Sequence, residues 1–290
     1  MCLALGLCSI LLAGCTPFSV LNDLSDSDQY SRQVDIRYGL ENRHTLDIYL
    51  PQSGTSEAPL VVFFFGGGWD DGDKKNYEFV AASLTQHGLV VVIPNYRLYP
   101  DVTFPAFVED GAHAVGWAIG NATQYGADPR KVYLMGHSAG AHIAALLATD
   151  SRYLRSAAGD HPPLAGLIGL SGPYDFLPIE SGYLLDVFPA ETRDDSQPIN
   201  FVTAQTPPAL LIHGDDDRLV APGNSQRFAA RLRAAGVPVT LKTYEDIGHV
   251  AVAMSLAPPL DFVADTLPDT VSFITATEKL QAGTKSDGSQ

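Results

Sequence analysis

The sequence predicts an α/β fold with a mostly parallel central sheet and helices on both faces. Three observations carry this reading. Short apolar, β-favouring runs alternate with helix-forming stretches along most of the chain, the rhythm of repeated βαβ units. One run, Leu60-Val61-Val62-Phe63-Phe64-Phe65, is continuously apolar, as a strand buried on both faces requires. Lys131 to Leu147 reads as strand, sharp turn and helix, with Ser138 at the apex and a glycine two positions to either side.

The chain has 290 residues, 46% hydrophobic and 18% charged, enough for one large domain with an ample core. Its formal net charge of −15 argues against nucleic acid, whose phosphates would repel it. The three cysteines, Cys2, Cys8 and Cys15, all lie at the N-terminus. Cys2 to Ala13 is apolar, with the length of a signal-peptide core. It leads into Leu12-Ala13-Gly14-Cys15, which resembles a bacterial lipobox, although no Lys or Arg precedes it. The expectation is a signal peptide over residues 1–14, lipidation at Cys15 and a cell-envelope location, with secretion or the periplasm as the alternative. The mature domain would then have no thiol for disulfides, metal sites or cysteine catalysis.

Residues 15–31, polar and rich in Asp and Ser, read as a tether, and residues 32–278 as the domain. Val34 to Tyr38 and Thr45 to Leu50 alternate as an early strand meander. Pro51 to Pro59 is a loop, Leu60 to Phe65 the buried strand, Asn76 to His87 a helix and Leu89 to Pro94 a further strand. Ala106 to Thr123 is an amphipathic helix, and Asp128-Pro129 turns into the strand Val132 to Met135. Ala141 to Leu147 is helix-forming and Leu164 to Ser171 a strand. Gly172 to Thr206 is irregular, either a small lid or a plain surface excursion. Ala209 to His213 and Val237 to Tyr244 are strands flanking a helix at Asn224 to Ala235, and His249 precedes a last helical region. Residues 279–290 read as a frayed polar tail.

Gly136-His137-Ser138-Ala139-Gly140 is a G-x-S-x-G nucleophile elbow. A serine on so tight a turn is strained, and side chains at the flanking positions would collide with the neighbouring strand and helix. The bland alternative is an ordinary serine N-cap. A serine hydroxyl needs a base to take its proton. Of eight histidines, His249 follows a strand in a loop where its ring can swing over the strand ends. His137 sits inside the elbow, too close along the chain to approach the hydroxyl from the needed side, and His142 is read as packing against the sheet. His213 ends a strand and is read as bonding a nearby loop. For the carboxylate that orients the base, Asp215-Asp216-Asp217 offers three choices after one strand, whereas Asp246 is too near His249. Gly66-Gly67-Gly68 lets bare backbone approach a substrate, so Gly67, Gly68 and Ala139 are the expected oxyanion donors.

The sequence resembles the α/β-hydrolase superfamily, and within it the carboxylesterases near hormone-sensitive-lipase-like esterases, kynurenine formamidase and isoprenylcysteine methylesterase. The segments that carry the resemblance are Phe65-Gly66-Gly67-Gly68-Trp69 with Gly72-Asp73-Lys74, Asn95-Tyr96-Arg97-Leu98, Tyr125 to Pro129, the elbow with Ala141-His142, His213-Gly214 with Asp217, and Gly248-His249. Related folds place the acid at the position of Asp217, and Asp215 then shapes the turn. The order Ser138, Asp217, His249 matches the serine–acid–histidine order of this superfamily. The family usually has histidine before the three glycines, where Phe65 stands here; that histidine braces the loop and does no chemistry, so activity should survive. Asp70 and Asp71 add negative charge at the mouth and should disfavour anionic substrates. The resemblance implies a serine carboxylesterase acting on small to medium esters through an acyl-enzyme, with no metal or cofactor. The alternatives are a formamidase or peptidase on the same triad, or a non-catalytic binding lipoprotein that keeps the fold.

Overall fold

The computed structural model describes residues 17–23, 25, 27–180 and 182–287; Cys15 and the lipobox-like stretch lie outside them. The strands are β1 (Tyr30–Arg37), β2 (Thr45–Pro51), β3 (Ala58–Phe64), β4 (Val90–Pro94), β5 (Ala127–His137), β6 (Gly166–Leu170), β7 (Ala209–Gly214) and β8 (Val239–Tyr244). They form one sheet in the order β1-β2-β4-β3-β5-β6-β7-β8. β2 pairs antiparallel with both β1 and β4, and every later pairing is parallel. The β3 run from Leu60 to Phe64 is at most 1% exposed, which is why it shows no alternation.

The helices are α1 (Pro17–Asp23), α2 (Glu78–Thr85), α3 (Ala106–Asn121), α4 (Ala139–Thr149), α5 (Ser151–Ala158), α6 (Gly182–Val187), α7 (Gly223–Ala234), α8 (His249–Met254) and α9 (Thr266–Asp287). Parallel crossovers are right-handed, so their direction along the sheet decides their face. The β3-α2-β4 connection moves toward β1. The connections through α3, α4 and α7 move the other way and cover the opposite face. α9 packs beside α2.

Three stretches differ from the sequence reading. Part of the expected tether is α1, with Leu21 4% exposed and Phe18 tilted against Tyr77 at 4.8 Å and stacked on Phe79 at 5.9 Å. Asn22 Oδ1 accepts the Phe79 amide at 3.0 Å, tying α1 to the start of α2. These apolar contacts, hidden among Asp and Ser in the sequence, hold α1 against the domain. The expected polar tail begins inside α9, which runs on to Asp287. The helix α5 has no counterpart in the sequence reading; Asp150 caps it, accepting the Arg152 amide at 3.0 Å.

The segment after the glycine-rich loop is anchored by a buried charge. Lys74 is 0% exposed, and its Nζ lies 2.6 Å from Asp47 Oδ1 on β2 and 2.8 Å from Asp35 Oδ1 on β1. Asn95 Oδ1 accepts the Lys74 amide at 2.8 Å. Lys74→Met would leave the buried Asp47 carboxylate without its cation, at a cost of about 3–5 kcal/mol. A lower urea midpoint at unchanged slope is the expected result. A loss below about 1 kcal/mol would show that this pair does not hold the segment.

Candidate active site

The elbow is built by close packing. A Cβ on Gly140 would lie 2.0 Å from the Phe64 carbonyl oxygen, and one on Gly136 would lie 2.3 Å from the Gly140 carbonyl oxygen. Glycine at both positions lets β5, β3 and α4 converge. Ser138 between them has φ 55° and ψ −122°, a conformation that costs on the order of 1–3 kcal/mol and persists only where neighbours enforce it. Its amide donates to the Leu170 carbonyl at 2.9 Å, which locks the turn to β6. Ser138 is therefore no ordinary N-cap: its side chain makes no capping hydrogen bond to α4.

Asp217, from the loop after β7, and His249, which opens α8 where the sequence reading has a loop, come together. His249 Nδ1 lies 2.8 Å from Asp217 Oδ2. A carboxylate only accepts, so Nδ1 carries the proton and Nε2 presents a lone pair. The Leu219 and Val220 amides donate to Asp217 Oδ1 at 3.0 and 2.9 Å. His213 Nε2 lies 3.1 Å from Asp217 Oδ2 and 2.9 Å from the Val220 carbonyl. His213 Nδ1 meets Ser225 Oγ at 2.7 Å. Burial by itself would raise the Asp217 carboxyl, but hydrogen bonds from His213 and His249 outweigh it and hold it well below the usual carboxylate range. His213 bonds a nearby loop, as the sequence reading has it, and the structure adds its contact with Asp217, an i,i+4 neighbour. Asp215 accepts the Asp246 amide at 2.7 Å and shapes the turn.

His249 reaches the elbow beside His137, with ring centroids 4.8 Å apart. His137 immediately precedes Ser138, so all three chosen side chains sit at the C-terminal edge of the sheet.

The glycine-rich loop lies against this edge: a Cβ on Gly66 would be 3.0 Å from Ser138 Cβ. Gly67, Gly68 and Trp69 all have positive φ, at 133°, 57° and 64°. The Asp70 and Asp71 amides donate to the Gly67 carbonyl at 3.1 and 2.9 Å, closing the turn. Ala139 opens α4, where first-turn amides have no intrahelical acceptor. Phe65 stacks on Tyr96 at 4.5 Å and 17°, and the Tyr96 hydroxyl donates to the Phe65 carbonyl at 2.7 Å. Arg43 donates to the Tyr96 and Gly72 carbonyls at 2.7 and 2.8 Å. Stacked rings and an arginine thus brace the loop.

Residues 182–206 pack over the same edge. Phe188, on the turn after α6, meets Trp69 edge-on at 4.8 Å, and Val187 accepts the Phe104 amide at 2.9 Å. The Tyr183 hydroxyl lies 2.7 Å, and Asp70 Oδ1 3.1 Å, from the point a Gly68 Cβ would occupy. His142 does not pack on the sheet alone. Its ring lies 5.2 Å from Trp69 and 5.7 Å from Phe188, and Nε2–H donates to the Ser196 carbonyl at 2.7 Å. This segment therefore covers the loops and is anchored by an aromatic cluster that no local sequence signal announced.

Among the described residues, no group of His, Cys, Asp and Glu is arranged to hold a metal, and no helix is long and apolar enough to cross a membrane.

A family model described as BD-FAE matches residues 46–232. An isoprenylcysteine alpha-carbonyl methylesterase of Arabidopsis thaliana is 30% identical over 266 residues, 83% of this chain and 62% of the relative. A kynurenine formamidase of Danio rerio is 29% identical over 234 residues, 77% of this chain and 76% of the relative. The chain spans between 50% and 62% of the length of the matched plant methylesterases. Esterase B of Lactobacillus rhamnosis superposes with a TM-score of 0.79 at 21% identity, covering 93% of each chain. A carbohydrate esterase from gut microbiota superposes at 0.75 and 23%, over 88% of this chain and 99% of that one. Identities this low speak for the fold alone.

Burial, opposed only by the Ser196 bond, lowers His142 to about 4. Unfolded histidine protonates near pH 6.5, so the unfolded chain binds more protons between about 6.5 and 4, and stability falls as pH drops through that window. His142→Phe should decline less steeply there in thermal melts taken across pH. A slope equal to wild type would show that this ring does not set it.

Proposed function

The chain belongs to the BD-FAE family and folds as an α/β-hydrolase, and on that premise we propose that it is a serine carboxylesterase hydrolysing small to medium esters. The observation that carries the reading is the Asp217–His249 hydrogen bond, formed at the edge where a strained serine stands. Ser138 Oγ attacks the ester carbonyl carbon while His249 Nε2 takes the hydroxyl proton. The Oγ–C bond forms and the carbonyl electron pair moves onto oxygen. The amides of Gly67, Gly68 and Ala139 stabilise that oxyanion, each by about 3 kcal/mol. Collapse breaks the bond to the alcohol oxygen, which leaves with the proton from His249. Water then attacks the acyl-enzyme by the same route and releases the acid. Asp217, held ionised by His213 and the Val220 amide, keeps the imidazole in its tautomer and stabilises the imidazolium.

The mouth favours uncharged, partly apolar substrates. Leu219 and Val250, neighbours of the proposed acid and base, are 78% and 40% exposed. Asp70 and Asp71, both exposed on the glycine-rich loop, repel anionic acyl groups. The formamidase relative keeps an amide reading open, since the same triad serves amides. Ser138→Ala should lower turnover of p-nitrophenyl acetate and butyrate by at least about 10³-fold; undiminished turnover would refute the nucleophile. Run with wild type, an N-formyl amide, a dipeptide and a half-ester of a diacid complete the panel. Amide turnover exceeding ester turnover would replace the esterase reading, and a preferred half-ester would overturn the charge argument.

The lipobox-like stretch supports an envelope lipoprotein anchored through Cys15. Cys15→Ser should move the protein from the membrane to the soluble fraction, and unchanged membrane association would argue against the anchor.

A further inference from the structure

His137 is 3% exposed and reaches from the elbow to α8, where its Nε2 lies 3.1 Å from the His249 backbone carbonyl. A carbonyl oxygen only accepts, so Nε2 carries the proton. The two imidazole rings pack at 4.8 Å with 43° between their planes. His137 Nδ1 is buried without a hydrogen-bond partner, and a Cβ on Gly66 would lie 2.9 Å from it. The ring is thus wedged between the glycine-rich loop and the proposed base. A buried acceptor left unpaired costs about 1–3 kcal/mol. An apolar ring would fill the same space without that cost, so what imidazole adds here is the Nε2–H bond to His249.

Resting on the proposed roles of Ser138 and His249, we propose that His137 is a positioning residue. Its Nε2–H holds the first turn of α8 so that the His249 imidazole stays over the elbow. Asp217 fixes that imidazole through Nδ1, and His137 fixes the backbone that carries it. The turn presenting the nucleophile and the turn presenting the base then move as one unit, although 112 residues separate them. The groups that face His137 are His249, Asp217 and His213. Burial first, and then His249, lower His137 to about 3, so the ring remains neutral when its neighbour gains a proton.

The test compares His137→Phe, which keeps a flat ring but loses the donor, with His137→Gln, whose amide can donate to the same carbonyl. Kinetics on p-nitrophenyl butyrate are recorded across pH, with thermal melts for each variant. The Phe variant should lose about 10- to 100-fold in kcat, with KM within about threefold. The acid limb of its kcat/KM profile should also move. Gln should recover most of that loss and restore the limb. A Phe variant equal to wild type, or a Gln variant no better than Phe with both melting as wild type, would overturn the proposal. Should the Phe variant fail to fold, His137→Met takes its place, being matched to Gln in length and lacking the donor. Ser138→Ala in parallel separates the two readings. Full turnover there removes the hydrolase reading itself, whereas an inactive Ser138→Ala beside a fully active His137→Phe removes only the positioning role.

Discussion

Everything at the candidate site depends on how closely β3, β5 and α4 approach one another. Gly136 and Gly140 have no room for a Cβ because the Phe64 and Gly140 carbonyls already fill it. That approach holds Ser138 at positive φ, with no side-chain hydrogen bond to the helix it precedes. It also brings Gly66 to within contact distance of Ser138 and His137. Loosen this junction, and the serine, the glycine-rich loop and the start of α4 would no longer share one edge. The strain is supported by a core of aromatic and branched residues almost wholly withdrawn from water, far larger in favourable free energy than the turn costs.

Around that junction the polar groups are arranged in two tiers. Asp217, His249, His213 and Ser225 form one connected chain of hydrogen bonds, with the carboxylate also accepting two backbone amides. A buried carboxylate satisfied on both oxygens does not need to shed its charge. Behind the glycine-rich loop, Arg43, Lys74, Asp47 and Asn95 tie the chain after the loop to β2, β1 and the end of β4. The stack of Phe65 on Tyr96 occupies the place where the resemblance led to the expectation of a histidine. An apolar ring can brace this loop because the donors it lacks are supplied by the Tyr96 hydroxyl and the Arg43 guanidinium.

The segment between β6 and β7 adds the last layer. Its apolar residues do not follow a helical or strand period, so they read as loop. Their partners are Trp69, Phe104, Phe107 and His142, from three separate parts of the chain. Tyr183 and Asp70 meet over Gly68, so the layer that covers the loop also shapes the approach to it.

Periodicity and turn chemistry are local, and they were sufficient for the eight strands, the principal helices, the sheet class and the elbow. Ser138 and the glycine-rich loop were legible because each needs a residue type that backbone sterics alone demand. What the chain order could not tell was which side chains share a volume. The helix α1 is held by contacts that polar composition concealed. His137 looked like a bystander because a hydrogen bond across 112 residues leaves no periodic trace, whereas His213, read as bonding a nearby loop, does so at Val220 and also meets the Asp217 carboxylate. Only the folded chain, by deciding which polar groups lose water together and must pair, decided the neighbours of His249.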